Sequence, residues 1–404
     1  MIFVGVDWAE AHHDICVVSE AGEVLARRRI PDSLAGVRAL HELLDEHVEE
    51  PTEVIIGIEK DRGLLVSALI AAHYRVYAVN PMSAARYRER HVTSGSKSDP
   101  GDAKVLADLV RTDRHNHREA AGDSEDAEAL KVLARAHQSA IWARQREANA
   151  LRNALKDYYP GALDAFGTDL DGPDALAILS LAPTPSLGRR LSRSTVTAAL
   201  RRAGRQRNLE RRASEILATL GAEQLAPGPT LEAAYGATTA AHVALIGAYN
   251  AQIEGLEASL SEGFDRHPDA GIVRSLPGLG TILGARVLAE FGDDPERYAT
   301  AQSRRNYAGT SPITRASGKS HVVLARHRRN RRLADALDQW AFCSLSTSPG
   351  ARAYYDELRA RDKTHRQAIR QLANRWVGIL HACLDQRVHY SEELAWKHRA
   401  DLAA

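Results

Sequence analysis

Cysteine is scarce in this chain: Cys16, Cys343 and Cys383 are the only three in 404 residues. Their spacing fits neither a zinc site nor a disulfide framework, so a reduced cytoplasmic protein is expected. No basic residue precedes the first apolar run, Met1 to Val6, and Asp7 follows it at once. That pattern is not a secretory signal peptide. Residues 233–253 carry no formal charge, yet Thr238, Thr239, His242, Asn250 and Gln252 make them too polar for a membrane span. Net charge is nearly absent as well, at +1. An even spread would argue against a polyanionic partner, but residues 1–115 hold 14 Lys/Arg against 19 Asp/Glu, a net of −5. The compensating excess of positive charge therefore lies later in the chain.

Acidic residues vanish altogether from two later segments. Residues 186–209 contain Arg189, Arg190, Arg193, Arg201, Arg202, Arg205 and Arg207 with no acid. Residues 301–334 contain Arg304, Arg305, Arg315, Lys319, Arg326, Arg328, Arg329, Arg331 and Arg332, again with none. Like charges at this density repel one another unless phosphates lie nearby, so both segments read as nucleic-acid contacts.

The length suffices for two or three domains, and the pattern suggests divisions at 1–118, 119–268 and 269–404. In the first, apolar runs at Ile2–Val6, Asp14–Ser19 and Val24–Ile30 read as strands in a hairpin-rich start. Residues 34–48 have helical spacing. Glu53–Glu59 then reads as a buried strand, Gly63–Tyr74 as a helix and Arg75–Pro81 as a further strand. The segment Lys97-Ser-Asp99-Pro-Gly-Asp102-Ala reads as a helix start, with proline at a position that needs no N–H. Asp99 and Asp102 are three apart and share a helix face. Asp7 and Glu59 fall at the ends of buried strands. Carboxylates there are costly unless a cation compensates them, and oxygen-ligated Mg²⁺ or Mn²⁺ is the usual one. A pair of such ions can activate one oxygen and stabilise another in phosphodiester chemistry. A sugar-kinase reading of Gly-Val-Asp7 fails because Trp8-Ala9 offers no glycine or threonine to wrap phosphate.

The middle of the chain has two long amphipathic stretches, Ser124–Tyr159 and Leu231–Phe264. The second places Ile246, Tyr249, Ile253, Leu256 and Leu260 in a coiled-coil heptad. They fold back as an antiparallel pair or associate between protomers. The Pro- and Gly-rich residues 160–185 between them read as a loop or small subdomain. In the last part, Pro277-Gly278-Leu279-Gly280 opens a helix whose backbone N–H groups can grip a phosphate, as in helix-hairpin-helix elements. Residues 333–384 read as mostly helical. Arg315-Ala-Ser317-Gly-Lys319 leaves a hydroxyl between two cations, suited to a nucleophile attacking phosphate or to a phosphate-binding donor.

Gly-Val-Asp7-Trp-Ala, Ile-Gly-Ile-Glu59, Val-Asn-Pro81 and Lys-Ser-Asp99-Pro-Gly-Asp102-Ala together resemble the DEDD transposases of insertion sequence family 110. Pro-Gly-Leu-Gly, Asn306-Tyr-Ala-Gly-Thr-Ser-Pro and Ala-Ser317-Gly-Lys extend the resemblance over nearly the whole chain. It implies an α/β N-terminal domain of the RNase H/RuvC type, a long-helix coiled-coil middle and a mostly α C-terminal domain. In that family four acids bind metal, which maps the set onto Asp7, Glu59, Asp99 and Asp102. The nucleophilic serine maps onto Ser317, with Ser311 and Ser320 as neighbouring alternatives. Lys60-Asp61-Arg62-Gly63 stands where family members often have Ala-Thr-Gly. The resemblance further implies donor and target DNA, a structured noncoding guide RNA and a dimer or tetramer. The expected activity is site-specific DNA recombination. The competing expectations are a RuvC-like nuclease in which water attacks, and a non-catalytic nucleic-acid-binding protein.

Overall fold

The apolar run at the N-terminus forms strand β1 (Ile2–Trp8), and β2 (His12–Val18) and β3 (Val24–Pro31) follow it as antiparallel neighbours. This computed structural model describes every residue except 61, 92–98, 121, 319, 327, 328 and 404. It divides into two units, Met1–Gly122 and Asp123–Ala404.

In the first unit, Ser33 caps helix α1 (Leu34–Asp45) by accepting from the Gly36 N–H. The chain then returns through β4 (Val54–Ile58), which lies parallel to β1. Helix α2 (Leu64–Ala71) leads to β5 (Arg75–Ala78), parallel to β4. Helices α3 (Pro81–His91) and α4 (Asp99–Asp113) precede a two-residue strand, β6 (Arg118–Glu119), antiparallel to β5. The mixed sheet has the order β3-β2-β1-β4-β5-β6.

Strand periodicity divides the side chains between two cores. Ile2, Val4 and Val6 of β1 pack with Val54, Ile56 and Ile58 of β4 against the leucines of α1 and α2. On the opposite face, Phe3 and Ile55 pack against Ala103, Leu106, Ala107 and Val110 of α4. Between them Gly5 and Gly57 are register partners on adjacent parallel strands. A Cβ on Gly5 would overlap the Ala103 carbonyl oxygen and lie 2.6 Å from the Ala107 nitrogen. A Cβ on Gly57 would lie 2.6 Å from the Leu106 carbonyl oxygen. Helix α4 thus rests directly on the sheet backbone at these two positions.

The second unit is almost wholly helical. Ser124 caps α5 (Glu125–Tyr158), and α11 (Pro229–Arg266) runs back beside it. Between them lie α6 (Pro160–Phe166), α7 (Pro173–Leu181), α8 (Pro185–Gly188), α9 (Arg193–Arg202) and α10 (Leu209–Gly221). Residues 160–188 therefore hold three short helices, each begun by a proline at its first position, so the small-subdomain alternative describes them. The breakers that suggested a loop are helix starts. Cross-contacts at His137–Glu257, Arg144–Asn250, Glu147–His242 and Tyr158–Thr239 show that α5 and α11 are antiparallel within one chain. Ile246, Ile253 and Leu260 are buried along the seam.

Beyond α11 come α12 (Ala270–Ser275), α13 (Thr281–Phe291), α14 (Ala301–Ala308), α15 (Arg331–Ser344), α16 (Pro349–Ala360), α17 (His365–Asp385) and α18 (Glu392–Ala403). Trp340 and Trp376 stack at the centre of their core, 5.4 Å apart. Strands β7 (Ile313–Ser317) and β8 (Ser320–Leu324) form a two-stranded hairpin exposed along its whole length.

Replacing Gly5 by alanine is expected to push α4 off the sheet and to destabilise the first unit by roughly 1–3 kcal/mol. Denaturant unfolding of the full chain checks this, with the α1-facing substitution Val4→Ile as the control for a volume change elsewhere on β1.

Candidate metal centre and nucleic-acid faces

Side chains two residues apart on a strand point the same way, so Phe3, Gly5 and Asp7 share one face of β1. Ile55 and Gly57 of β4 follow the same alternation, and Glu59 continues it just past the strand end. The two strands are parallel and register Gly5 against Gly57, so each carries glycine, apolar residue, acid in step. The glycines admit α4, whose first turn carries Asp99 and Asp102. All four acids foreseen in the sequence are therefore delivered to the carboxyl ends of the two central strands.

Of the four, Asp7 registers the charges of the other three. The Asp7 carboxyl is pushed up from 3.8 to about 6, first by burial, then by the negative charges of Asp102, Asp99, Glu59 and Asp14. Two arginines offset part of this charge. Arg88 on α3 approaches Asp102 to 2.6 Å, while Arg29 on β3 grips Asp14 at 2.8 and 3.1 Å and reaches Asp99 at 3.4 Å.

Asp14 is a fifth acid that the sequence reading missed. It is the register partner of Asp7 on β2, is buried, and lies opposite Arg29 on β3. His12, two residues earlier, shares its face. Ligand atoms of His12, Asp14 and Asp99 lie within 4.8 Å of one another. Among the described residues, no group of three at that spacing includes Asp7, Glu59 or Asp102. The signal available in the sequence was the acid within the β2 run His12-His-Asp-Ile-Cys-Val-Val. It becomes informative only once β2 is known to flank β1. As a donor set, several carboxylates with residual negative charge fit a hard divalent cation.

The basic segments take up separate parts of the second unit. Arg189, Arg190 and Arg193 are exposed around the start of α9, and Arg201, Arg202 and Arg207 are exposed at its far end. Arg205 instead binds Asp174 at 2.6 Å. In the other segment the cations divide by burial. Arg304 is enclosed, with its guanidinium 4.6 Å from the Tyr298 ring centre and 5.3 Å from that of Phe291, and burial pulls its pKa down. It offers no face to a polyanion, because a core aromatic pair has claimed it. Arg305 donates to the Asn374 carbonyl, Arg329 lies 4.0 Å from Asp338, and Arg326 is half-buried. Arg315 and Arg331 are exposed. Lys319 and Arg328 lie outside the described residues.

Gly278 has φ +82°, and a Cβ there would meet the Ser344 nitrogen at 2.6 Å. Its glycine is thus required by close packing on α15. Gly280 caps α13 with open space around it, beside a groove of about 840 Å³ lined by Arg274, Phe342 and Arg352. Ser317 ends β7 at the exposed hairpin tip, paired with Ser320 across the turn at Gly318. Ser311 is buried and donates to Asn306 at 2.6 Å.

An α/β unit with acids near its central strand ends is thus followed by a helical unit that exposes many arginines, and comparison with known proteins places the chain among transposases. A family model for DEDD transposases, described as a transposase, matches residues 4–160. A second, described as the transposase IS116/IS110/IS902 family, matches residues 270–356. The chain is 44% identical to the "mini-circle putative transposase for IS117" of Streptomyces coelicolor, covering all of this chain and 98% of that protein. It is 31% identical to an uncharacterized 42 kDa protein of insertion element IS900 from Mycobacterium paratuberculosis, over 96% of this chain and 97% of the other. With an uncharacterized 44.8 kDa protein of insertion element IS116 from Streptomyces clavuligerus the identity is 30%, over 96% of each. The chain belongs to the IS116/IS110/IS902 family of transposases. No helix among the described residues is long and apolar enough to cross a membrane.

The raised Asp7 pKa sets the sign of a pH dependence. The unfolded chain loses this proton near pH 4 and the folded chain only near pH 6. Folding stability therefore falls as pH rises through that window, and the penalty is complete above it. Without divalent cations, Asp7→Asn is expected to be more stable than the natural chain at pH 7.5 by about 1–2 kcal/mol, after allowance for solvent screening. The advantage should vanish below pH 4. Added Mg²⁺ or Mn²⁺ should raise the thermal midpoint of the natural chain and leave that of Asp7→Asn unmoved.

Proposed function

We propose that the protein is a site-specific DNA recombinase in which Asp7, Glu59, Asp99 and Asp102 hold Mg²⁺ or Mn²⁺ and Ser317 is the nucleophile. The observation that supports this reading is that Asp102, Asp99, Glu59 and Asp14 all lie near enough to Asp7 to raise its pKa further, beyond the larger effect of burial. When bound, the cations would neutralise phosphate oxygens and lower the barrier to phosphoryl transfer. The strand order, with β1 central and β2 antiparallel to it, supports an RNase H/RuvC-type first domain. Within the second unit, the long pair α5 and α11 is read as a coiled-coil middle ending near residue 268. The helices from 269 onward form the C-terminal transposase domain, with a helix-hairpin-helix-like phosphate grip at Gly278–Gly280.

In the chemistry proposed, the Ser317 hydroxyl attacks the scissile phosphorus. A serine–phosphate ester forms, the bond to the leaving sugar oxygen breaks, and that oxygen ends with the proton lost by the serine. A hydroxyl on the recipient strand then reverses the step, so the phosphoester energy is conserved and no ATP is needed. Arg315, beside Ser317 on an exposed strand, suits the non-bridging oxygens. Donor and target DNA are the substrates, a structured noncoding RNA is the proposed guide, and the exposed arginines around α9 are its proposed landing face. Handling two duplexes calls for a dimer or tetramer, acting in the cytoplasm.

Denaturing the protein with labelled donor DNA and divalent metal should trap a covalent adduct. Ser317→Ala should abolish it and lower strand transfer by about 10³-fold or more. Asp102→Asn should lose cleavage as well. Cleavage that survives Ser317→Ala and depends on Asp102 would instead identify a water-dependent nuclease.

A further inference from the structure

A groove of about 730 Å³ lies in the second unit between the middle of α5 and the start of α15. Trp142, Gln145 and Arg146 line it from one helix, and Arg331 and Arg332 from the other. Arg135 and Asn330 complete it, and no carboxylate contributes to the lining. Arg135 is spent on Glu290, at 2.8 and 3.0 Å, and Asn330 binds the same carboxylate. Those contacts pin α5, α13 and α15 together and so fix the groove walls.

The floor is aromatic. The Arg332 guanidinium lies 5.0 Å from the centre of the Trp142 ring and is held there by the Arg135 carbonyl and the Ser139 hydroxyl. Burial and then repulsion from Arg135 and Arg286 lower its pKa, with Glu290 opposing. At the rim, Arg146 and Arg331 are exposed, and among the described residues neither pairs with a carboxylate. Positions 135, 139, 142 and 146 are spaced by three or four, so α5 turns one face to the groove. A charged face that serves only solubility interleaves acids with bases; this one has none.

From this geometry we infer that the groove binds an unpaired nucleic-acid strand, one base stacking on the Trp142–Arg332 platform while Arg146 and Arg331 hold the flanking phosphates. A planar indole backed by a guanidinium is a stacking surface for a base, and duplex bases are already stacked on each other and cannot reach it. The volume is that of a small-ligand site and accommodates one or two nucleotides. This inference rests on the proposed recombinase function, since strand exchange exposes unpaired segments. It assigns Trp142, Gln145 and Arg146 of the long helix to a binding role in addition to its packing role.

The test measures binding of fluorescent 12-nucleotide oligo-dT, oligo-rU and a duplex of equal length to the full chain, by anisotropy across a salt series. The double charge reversal R146E/R331E should weaken single-strand binding about 10-fold or more and flatten its logarithmic salt slope by about 1.4, the value for two phosphate contacts. W142A should weaken it by a similar factor with the slope unchanged, whereas W142F should keep most of the affinity. Unchanged thermal midpoints establish that each variant is folded. Preference for oligo-rU identifies the strand as RNA, and preference for oligo-dT as DNA. Natural single-strand affinity in R146E/R331E, or an equal loss on duplex and single strands, would overturn the inference. Failure of the natural chain to bind any of the three probes would instead remove the recombinase reading beneath it.

Discussion

The backbone contact between α4 and the strand pair β1 and β4 is the constraint on which the candidate centre depends. Gly5 and Gly57 lie side by side in register, and at both positions helix backbone occupies the volume of a side chain. Any larger residue would hold the helix one side-chain layer away from the sheet. Asp99 and Asp102 would then sit too far from the strand ends to act on the charge of Asp7. Close packing of apolar residues on either side of the glycines provides the adhesion, through Phe3 and Ile55 above Leu106 and Val110. The electrostatic strain at the acids is thus set by hydrophobic packing a few residues away.

Arginine has two distinct uses in the protein, and they are separated by whether a group inside the protein already holds the guanidinium. Arg88 and Arg29 offset carboxylates in the first unit, and Arg135, Arg297 and Arg304 work inside the second. Arg297 and Asp123 are both buried and approach to 2.6 Å, so neither charge is left uncompensated. Arg304 is satisfied by aromatic faces in place of an acid. The arginines around α9, together with Arg146, Arg315 and Arg331, remain exposed. A polyanion would meet these, while the ones already engaged hold their surrounding elements in place.

Much of the fold was legible along the chain. The strands from Ile2 to Ala78, the start of α4 and both long helices appear where apolar periodicity placed them, because period-two and period-3.6 patterns are local properties of sequence. Residues 160–185 stayed open between a loop and a small subdomain, because proline at a helix start looks the same as proline in a loop until the following residues are seen to pack. The β7–β8 hairpin likewise escaped notice: it has no buried face to impose an alternating pattern. Asp14 was passed over for a different reason, since its significance comes from lying beside Asp7 across a strand pair.

By itself, the order of residues determined the strands and helices of the first unit, both long helices, the glycine-acid spacing at the ends of β1 and β4, and the two segments stripped of negative charge. Each of these is a matter of near neighbours in the chain. Tertiary structure alone decided that Asp14 and His12 join the acidic group, that Arg304 is core and Arg331 surface, and that Trp142 faces an arginine from a helix nearly two hundred positions away. Burial and cross-strand register depend on residues distant in sequence, and a linear pattern carries no measure of that proximity.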